Sequence, residues 1–114
     1  MSGMDFADYQ RQAQETAMYP GAGTTPGLAY VALGLTGEAG EVANKVKKIM
    51  RDHYGELTGP RAAAIAEELG DVLWYVAMAA TELGADLGQI AALNAAKLES
   101  RALRGVIKGD GDNR

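Results

Sequence analysis

Apolar side chains recur at three- and four-residue intervals along most of this chain, and this spacing places them on one face of an α-helix. The first segment with this spacing runs from Asp5 to Met18. Its apolar face contains Phe6, Tyr9, Ala13 and Ala17. The Tyr-Pro-Gly sequence at 19–21 is typical of a turn, so we expect the first helix to end before it.

A second helical pattern covers residues 28–51. Its apolar positions are Leu33, Leu35, Val42, Val46 and Ile49. The segment 54–59 interrupts the pattern, and Pro60 follows it. Proline costs nothing at the first position of a helix, because its missing N–H would have no partner there. Pro60 therefore predicts the start of a third helix, which we expect to end near Leu83 with Gly84 as its C-cap.

Asp86, with Gln89 three positions later, resembles a capping box and predicts a fourth helix that ends near Arg101. Residues 105–114 contain three glycines and several charged side chains, and are expected to form an irregular basic tail. The sequence has no internal repeat, no strand-like alternation and no linker that would divide it. At 114 residues it has the size of one domain. The pattern predicts an all-α fold: a four-to-five-helix bundle in a single domain covering residues 1–114.

Composition excludes several classes of function. The chain has no cysteine, which excludes disulfides, thiolate metal sites and cysteine nucleophiles. Its net charge of −4 argues against a nucleic-acid polymer as partner, because phosphate backbones are bound mainly by basic surface. The longest apolar run, residues 72–80, is far shorter than the about 20 residues that span a bilayer. We therefore expect a cytoplasmic protein that does not interact with a membrane.

Two pairs of carboxylates are each three residues apart, Glu38 with Glu41 and Glu68 with Asp71. At about 100° per residue, each pair projects from one face of its helix, so the two pairs can converge if the helices are antiparallel neighbours. Carboxylate oxygens are ligands that Mg²⁺ shares with water and phosphates. A Glu-x-x-Glu spacing alone is common on a solvated helix face. The apolar residues around both pairs favour a functional interpretation, since burying charge is costly unless it is compensated.

Four glycines lie in the same two helices, at positions 34, 37, 40 and 70. Each costs a helix interior about 1 kcal/mol relative to alanine. Close packing of the two helices would account for that cost, and so would space for a metal ion and phosphates beside the carboxylates. The sequence leaves both explanations open.

Lys45 and Lys48 share the helical face of Glu41, where they can reach phosphate oxygens; for Lys45, ordinary pairing with Glu41 four residues before is the alternative. Trp74 and Tyr75 follow Asp71 closely enough for one of them to stack on a base. Aromatic residues at helical spacing usually belong to the core, and we expect this for Trp74. His53, the only histidine, is expected to be exposed or to interact with the helix dipole, and is assigned no catalytic role.

The order Glu38-x-x-Glu41, then 26 residues, then Glu68-x-x-Asp71 resembles the signature of the MazG-like all-α nucleoside triphosphate pyrophosphohydrolases. The resemblance covers nearly the whole chain. It includes the segments 9–10, 17–20, 33–52, 67–76, 94–98 and 104–114.

The resemblance implies Mg²⁺-dependent hydrolysis of a nucleoside or deoxynucleoside triphosphate to the monophosphate and pyrophosphate, with Mn²⁺ as a possible substitute. The implied metal ligands are Glu38, Glu41, Glu68 and Asp71, and Glu38 or Glu41 would also act as general base. The implied substrate contacts are Lys45, Lys48, Lys97 and Arg101 to the phosphates, and Tyr75 and Asn94 to the base or sugar. Family members form homodimers or homotetramers with active sites near subunit contacts, so we expect oligomerisation to complete the bundle.

Two alternatives remain open: a phosphoribosyl-ATP pyrophosphohydrolase with similar carboxylates, and a non-catalytic helical oligomer that binds neither Mg²⁺ nor nucleotide. A di-iron carboxylate bundle is discounted, because it requires Glu-x-x-His on two helices and His53 is the only histidine.

Overall fold

The computed structural model describes residues 3–112. Within them the chain forms four helices and no strand: α1 Phe6–Gln14, α2 Thr25–Asp52, α3 Gly59–Glu82 and α4 Leu87–Leu103. The predicted all-α fold is confirmed. Residues 105–112 are irregular, as expected, and the last two residues of the predicted tail lie outside the described range.

Every helix begins at a polar side chain that accepts a hydrogen bond from a backbone N–H of the first turn, which satisfies one of the unpaired donors there. These N-caps are Asp5, Thr24, Thr58 and Asp86. The predicted cap at Asp86 accepts from the backbone N–H of Gln89 at 2.9 Å. The C-cap of α3 is Leu83, one residue before the predicted Gly84. Gly84 follows it with φ +67°, a conformation that favours glycine at the end of a helix.

Two helix boundaries differ from the prediction. α1 ends at Gln14, four residues before Met18, because the chain tightens there into a turn in which the Thr16 hydroxyl donates to the Ala13 carbonyl at 3.0 Å. α2 begins at Thr25, three residues before the predicted start, because Thr24 caps it. Capping polar residues, rather than the first apolar residue of the pattern, set this boundary.

α2 and α3 are antiparallel neighbours joined by a short turn at 53–58. Gly34 on α2 lies directly against the ring of Tyr75 on α3, where a Cβ would be 2.6 Å from Cδ1 of the ring. Gly37, Gly40 and Gly70 have no such neighbour within 4 Å. Close helix packing therefore explains the glycine at position 34. The other three glycines border open space, as the second explanation requires.

The core lies where α1 crosses α3 and the start of α4. Its buried residues are Ala13, Tyr19, Val31, Ala77, Met78 and Leu87. The side chain of Gln10 joins three elements, because its amide N–H groups donate to the Thr81 hydroxyl at 3.1 Å and the Ala85 carbonyl at 2.9 Å, while its oxygen accepts from the backbone of Leu87 at 2.9 Å. This bridge fixes α1 on the junction between α3 and α4.

The single chain is more open than an ordinary domain of its length. Its radius of gyration is 17.0 Å, against about 13 Å for a compact domain of this size. α4 contacts α1 and α3 but not α2 in the described part of the chain. Leu33 is 75% exposed, Leu69 54% and Leu93 64%. None of the helices in residues 3–112 has an apolar stretch that could cross a membrane.

Candidate active site

Three carboxylates converge on the seam between α2 and α3. Glu38 comes from α2, and Glu68 and Asp71 come from α3. One oxygen from each of the three lies within 4.8 Å of the other two. Glu38 and Glu68 are partly buried and Asp71 is exposed. The three-residue spacing and the antiparallel helices together bring them into one cluster, as the sequence predicted.

The cluster concentrates negative charge. Burial raises the pKa of Glu38, and the charge of Asp71, a hydrogen bond with Glu68 and the charges of Glu68 and Glu41 raise that pKa further. Such a group of like charges favours either a proton or a cation. Carboxylate oxygens are hard ligands, which suit Mg²⁺, Ca²⁺ or Mn²⁺ better than softer metals. The donor set therefore fits a hard divalent cation.

Glu41 does not belong to the three-carboxylate group. It lies one turn further along α2, is exposed, and acts on the cluster through its charge, which contributes the smallest part of the rise in the pKa of Glu38. Of the four predicted metal ligands, the single chain therefore brings three together and leaves the fourth beside them.

A cavity of about 400 Å³ opens directly beside the cluster. It is lined by Thr16, Glu38, Asp71, Trp74 and Tyr75. Its size falls within the range of about 300–1,000 Å³ found for sites that enclose small molecules. The predicted position of Tyr75 beside the carboxylates is thus observed. Burial raises the pKa of its hydroxyl, and so do the nearby charges of Tyr30, Glu38 and Asp71.

Trp74 packs against the core, as expected, and also forms a wall of this cavity. Its indole N–H donates to the Thr16 hydroxyl at 2.9 Å. Its ring meets the ring of Tyr75 edge to face, with centroids 5.0 Å apart. These contacts fix the indole, so the aromatic end of the cavity has a set shape.

Sequence reasoning missed Thr16 and Tyr9. Thr16 lies in the turn after α1, where no periodic pattern marks a residue that will face α3. Tyr9 is partly buried, and its pKa is raised by burial and then by the charge of Asp71. In the sequence, Tyr9 was marked only as part of the apolar face of the first helix and of the family resemblance, and neither placed it near Asp71.

Lys45 points to the cluster. Its Nζ lies 3.8 Å from Oε1 of Glu68 on the facing helix, rather than beside Glu41 as simple pairing within α2 would require. Lys48 lies about one turn further along α2 and lines a second, smaller cavity together with Lys45. Both predicted phosphate contacts thus line one cavity, which adjoins the carboxylate cluster through Lys45.

The three predicted substrate residues on α4 lie elsewhere. Asn94 and Lys97 line a separate cavity of about 300 Å³. Lys97 and Arg101 each lie 3.2 Å from the carboxylate of Asp112 in the tail. Because α4 and α2 do not touch within residues 3–112, the single chain does not bring these residues to the carboxylates. Their contact with substrate stays a prediction.

Comparison with known proteins gives two findings. The model of the MazG nucleotide pyrophosphohydrolase domain matches residues 28–104, a range that contains all four predicted metal ligands. The chain is also 53% identical over 109 residues to Gene 37 protein of Mycobacterium phage L5, and the alignment covers 93% of this chain and 96% of that relative. No solved structure gives a significant match.

Proposed function

This chain belongs to the MazG nucleotide pyrophosphohydrolase family, as its carboxylate signature predicted, and we propose that it hydrolyses a nucleoside or deoxynucleoside triphosphate to the monophosphate and pyrophosphate with Mg²⁺ as cofactor. The observation that carries the proposal is the convergence of Glu38, Glu68 and Asp71 beside a cavity with aromatic walls. This arrangement offers a cation site next to a surface on which a base can stack.

In this reaction the oxygen of a water molecule forms a bond to the α-phosphorus, and the bond from that phosphorus to the oxygen bridging to the β-phosphate breaks. Pyrophosphate leaves with the electron pair, and the water loses a proton. Glu38 or Glu41 accepts that proton. Glu38 lines the cavity beside the cluster, and a general base has to lie within hydrogen-bonding reach of the proton that it accepts.

Glu38, Glu68 and Asp71 would hold the cation, with Glu41 beside them as the fourth predicted ligand. A bound Mg²⁺ would neutralise phosphate charge and make the attacking water more acidic. Lys45, which is 3.8 Å from Glu68, would contact a phosphate oxygen. The chain's own contribution is mainly to position the α-phosphorus and to neutralise charge, which is where most catalysis of phosphoryl transfer arises.

The base would occupy the cavity formed with Trp74 and Tyr75. Stacking of a base on an aromatic side chain contributes about 1–3 kcal/mol and tolerates different bases. The hydrogen bond from Trp74 to Thr16 holds the indole in place for this contact. Tyr75 would also reach the base or sugar. Its hydroxyl can donate a hydrogen bond at neutral pH, since a tyrosine pKa already lies near 10 and burial raises it further.

We also propose that the active form is a homodimer or homotetramer. The number of exposed apolar side chains supports it: Leu33, Leu69 and Leu93 are among sixteen large apolar residues that are exposed in the described part of the chain, and extensive exposed apolar surface marks sites of protein association. A second copy would cover these side chains. It would also bring the α4 residues Asn94, Lys97 and Arg101 toward a carboxylate cluster that they do not reach within one chain.

The test is pyrophosphate release from a panel of canonical and modified nucleoside triphosphates and from phosphoribosyl-ATP, with Mg²⁺ and with excess chelator. Metal-dependent release from a nucleoside triphosphate is the expected result. Release from phosphoribosyl-ATP alone would replace the proposal by that narrower activity, and no release from any substrate would favour a non-catalytic helical oligomer.

A further inference from the structure

A second cavity lies at the end of the α2–α3 seam, close to the turn that joins the two helices. Its volume is about 180 Å³, and it is lined by Lys45, Lys48, Ile49, His53, Arg61 and Ala64. Three of the six lining residues carry a positive charge, a fourth is histidine, and none is acidic. The volume is below the range of about 300–1,000 Å³ typical of sites for drug-sized ligands, so the cavity suits a small anion better than a nucleoside.

The fold holds these basic side chains in place. The lysines come from the last turns of α2, Arg61 comes from the first turn of α3, and His53 is the C-cap of α2, where its backbone N–H donates to the Ile49 carbonyl at 3.0 Å. Arg61 donates from Nη1 to the Glu56 carbonyl at 2.8 Å, which uses one of its five N–H donors. This bond orients the guanidinium at the edge of the cavity.

The surroundings strengthen attraction for an anion. Ile49 is buried and forms an apolar wall, and an apolar wall lowers the local dielectric and strengthens charge interactions. The carboxylate of Asp52, next to His53 in the sequence, accepts two hydrogen bonds from Arg51 at 2.8 and 2.9 Å, so Arg51 already balances its charge.

The position of this cavity follows the order of groups in a nucleoside triphosphate. Along α3, Arg61 comes first, then the carboxylates at 68 and 71, and then Trp74 and Tyr75. Seven residues separate Arg61 from Glu68, which is about 10 Å at 1.5 Å per residue. Lys45 joins the two sites, because it lines the basic cavity and also lies 3.8 Å from Glu68.

We propose that this basic cavity binds the β- and γ-phosphates, the part of the substrate that leaves as pyrophosphate. The inference rests on the proposed hydrolysis, and it orders the substrate along the α2–α3 interface. The base lies beside the aromatic side chains, the α-phosphorus at the carboxylates, and the leaving pyrophosphate near the turn that joins the two helices. It also assigns Arg61 and His53 to substrate binding, although neither is marked by any signature in the sequence.

The experiment titrates inorganic pyrophosphate with Mg²⁺ into the full chain by calorimetry and measures its inhibition of triphosphate hydrolysis. Arg61→Gln is expected to weaken pyrophosphate binding and to raise both its inhibition constant and the KM for the triphosphate about 10- to 100-fold, the range for a lost charged hydrogen bond. The affinity for the nucleoside monophosphate, which does not enter the cavity, should stay unchanged. His53→Gln is expected to act in the same direction with a smaller effect.

Lys47→Gln is the matched control, because it removes one positive charge from the same pair of helices, at a residue of α2 that does not line the cavity. Equal pyrophosphate affinity in the Arg61→Gln and Lys47→Gln proteins, both with native circular dichroism, would overturn the inference. So would pyrophosphate inhibition that does not compete with the triphosphate. If no triphosphate is hydrolysed but pyrophosphate still binds and Arg61→Gln weakens that binding, the proposed hydrolysis is wrong. The assignment of an anion to this cavity then still holds.

Discussion

Gly34 and Tyr75 face each other across the α2–α3 interface so closely that a Cβ at position 34 would lie 2.6 Å from Cδ1 of the tyrosine ring. The same ring lines the cavity beside the carboxylates. The spacing of the two helices and the shape of the cavity therefore depend on the same contact. A side chain at position 34 has to displace the ring or separate the helices.

Gly34→Ala is expected to lower the free energy of unfolding by about 1–3 kcal/mol, the usual cost of overpacking, and to raise the KM for the triphosphate. Thermal unfolding and steady-state kinetics measure the two effects. Gly37→Ala is the control: no atom lies within 4 Å of its Cβ position, so gaining alanine in the helix should stabilise the chain by about 0.5–1 kcal/mol. Equal stability of the two variants would contradict the close contact.

Tyr19 and Glu82 tie the loop after α1 to the end of α3. The Tyr19 hydroxyl donates to Glu82, and the backbone N–H of Gly23 donates to the same carboxylate at 3.0 Å. Burial, followed by the hydrogen bond and charge of Glu82, raises the pKa of Tyr19 to about 12. The Tyr19 bond and then the Gly23 bond lower the pKa of Glu82.

These shifts predict the pH dependence of stability. A group whose pKa is raised on folding contributes fully below its unfolded pKa, so the Tyr19 contribution should persist up to pH 10 and fall as the pH rises toward about 12. The Glu82 contribution has the opposite sign: it is present above the ordinary glutamate pKa of 4.5 and is lost as the pH falls through the lowered value. Melting temperatures measured as a function of pH for the parent chain, Tyr19→Phe and Glu82→Gln test both the alkaline and the acidic effect. In each variant, the change of melting temperature with pH that is assigned to the substituted residue should disappear. An unchanged pH dependence would contradict the assignment.

Thr16 acts on the cavity through Trp74. Thr16→Val removes the acceptor of the indole N–H while keeping the shape of the side chain, so the ring loses its anchor. A neutral hydrogen bond contributes about 0.5–1.5 kcal/mol, and we expect the KM for the triphosphate to rise about 2- to 10-fold with little change in kcat. Thr16→Ser keeps the hydroxyl and should behave like the parent chain. A KM that is the same in both variants would show that the indole needs no anchor.

Local chemistry made much of the fold predictable. Asp86 and Gly84 set helix ends through bonds to residues within one turn, and a pattern in the sequence is enough to find such ends. The convergence of Glu38 with Glu68 and Asp71 needed only their spacing and an antiparallel pair of helices. Contacts between distant segments could not be read in this way. Trp74 bonds to Thr16, and Arg61 lines a cavity with Lys48, only because of how the helices pack, and nothing near these residues in the sequence records that packing.

The exposed apolar residues of α4 predict that a charged substitution there will weaken oligomerisation. Leu93 lies on the part of α4 that stands clear of α2, where a charge would oppose packing against a second copy. Leu93→Glu should shift the mass measured by light scattering toward the monomer and lower activity together with it. Met18→Glu is the control, since Met18 is also exposed but lies in the loop after α1. A parent chain that is already monomeric would contradict the proposed assembly.

In the proposed function, hydrolysis requires a cation that is held by the carboxylate cluster. The most direct measurement is the initial rate of pyrophosphate release as a function of Mg²⁺ concentration for the parent chain, Asp71→Asn and Glu67→Gln. Glu67 is the matched control, because it is an exposed carboxylate on α3 next to the cluster but not part of it. We expect Asp71→Asn to lose at least about 100-fold in rate, the size of effect seen when one group that stabilises charge in a transition state is removed, while Glu67→Gln keeps the parent rate and Mg²⁺ dependence. Equal rates in the two variants at every Mg²⁺ concentration would contradict it.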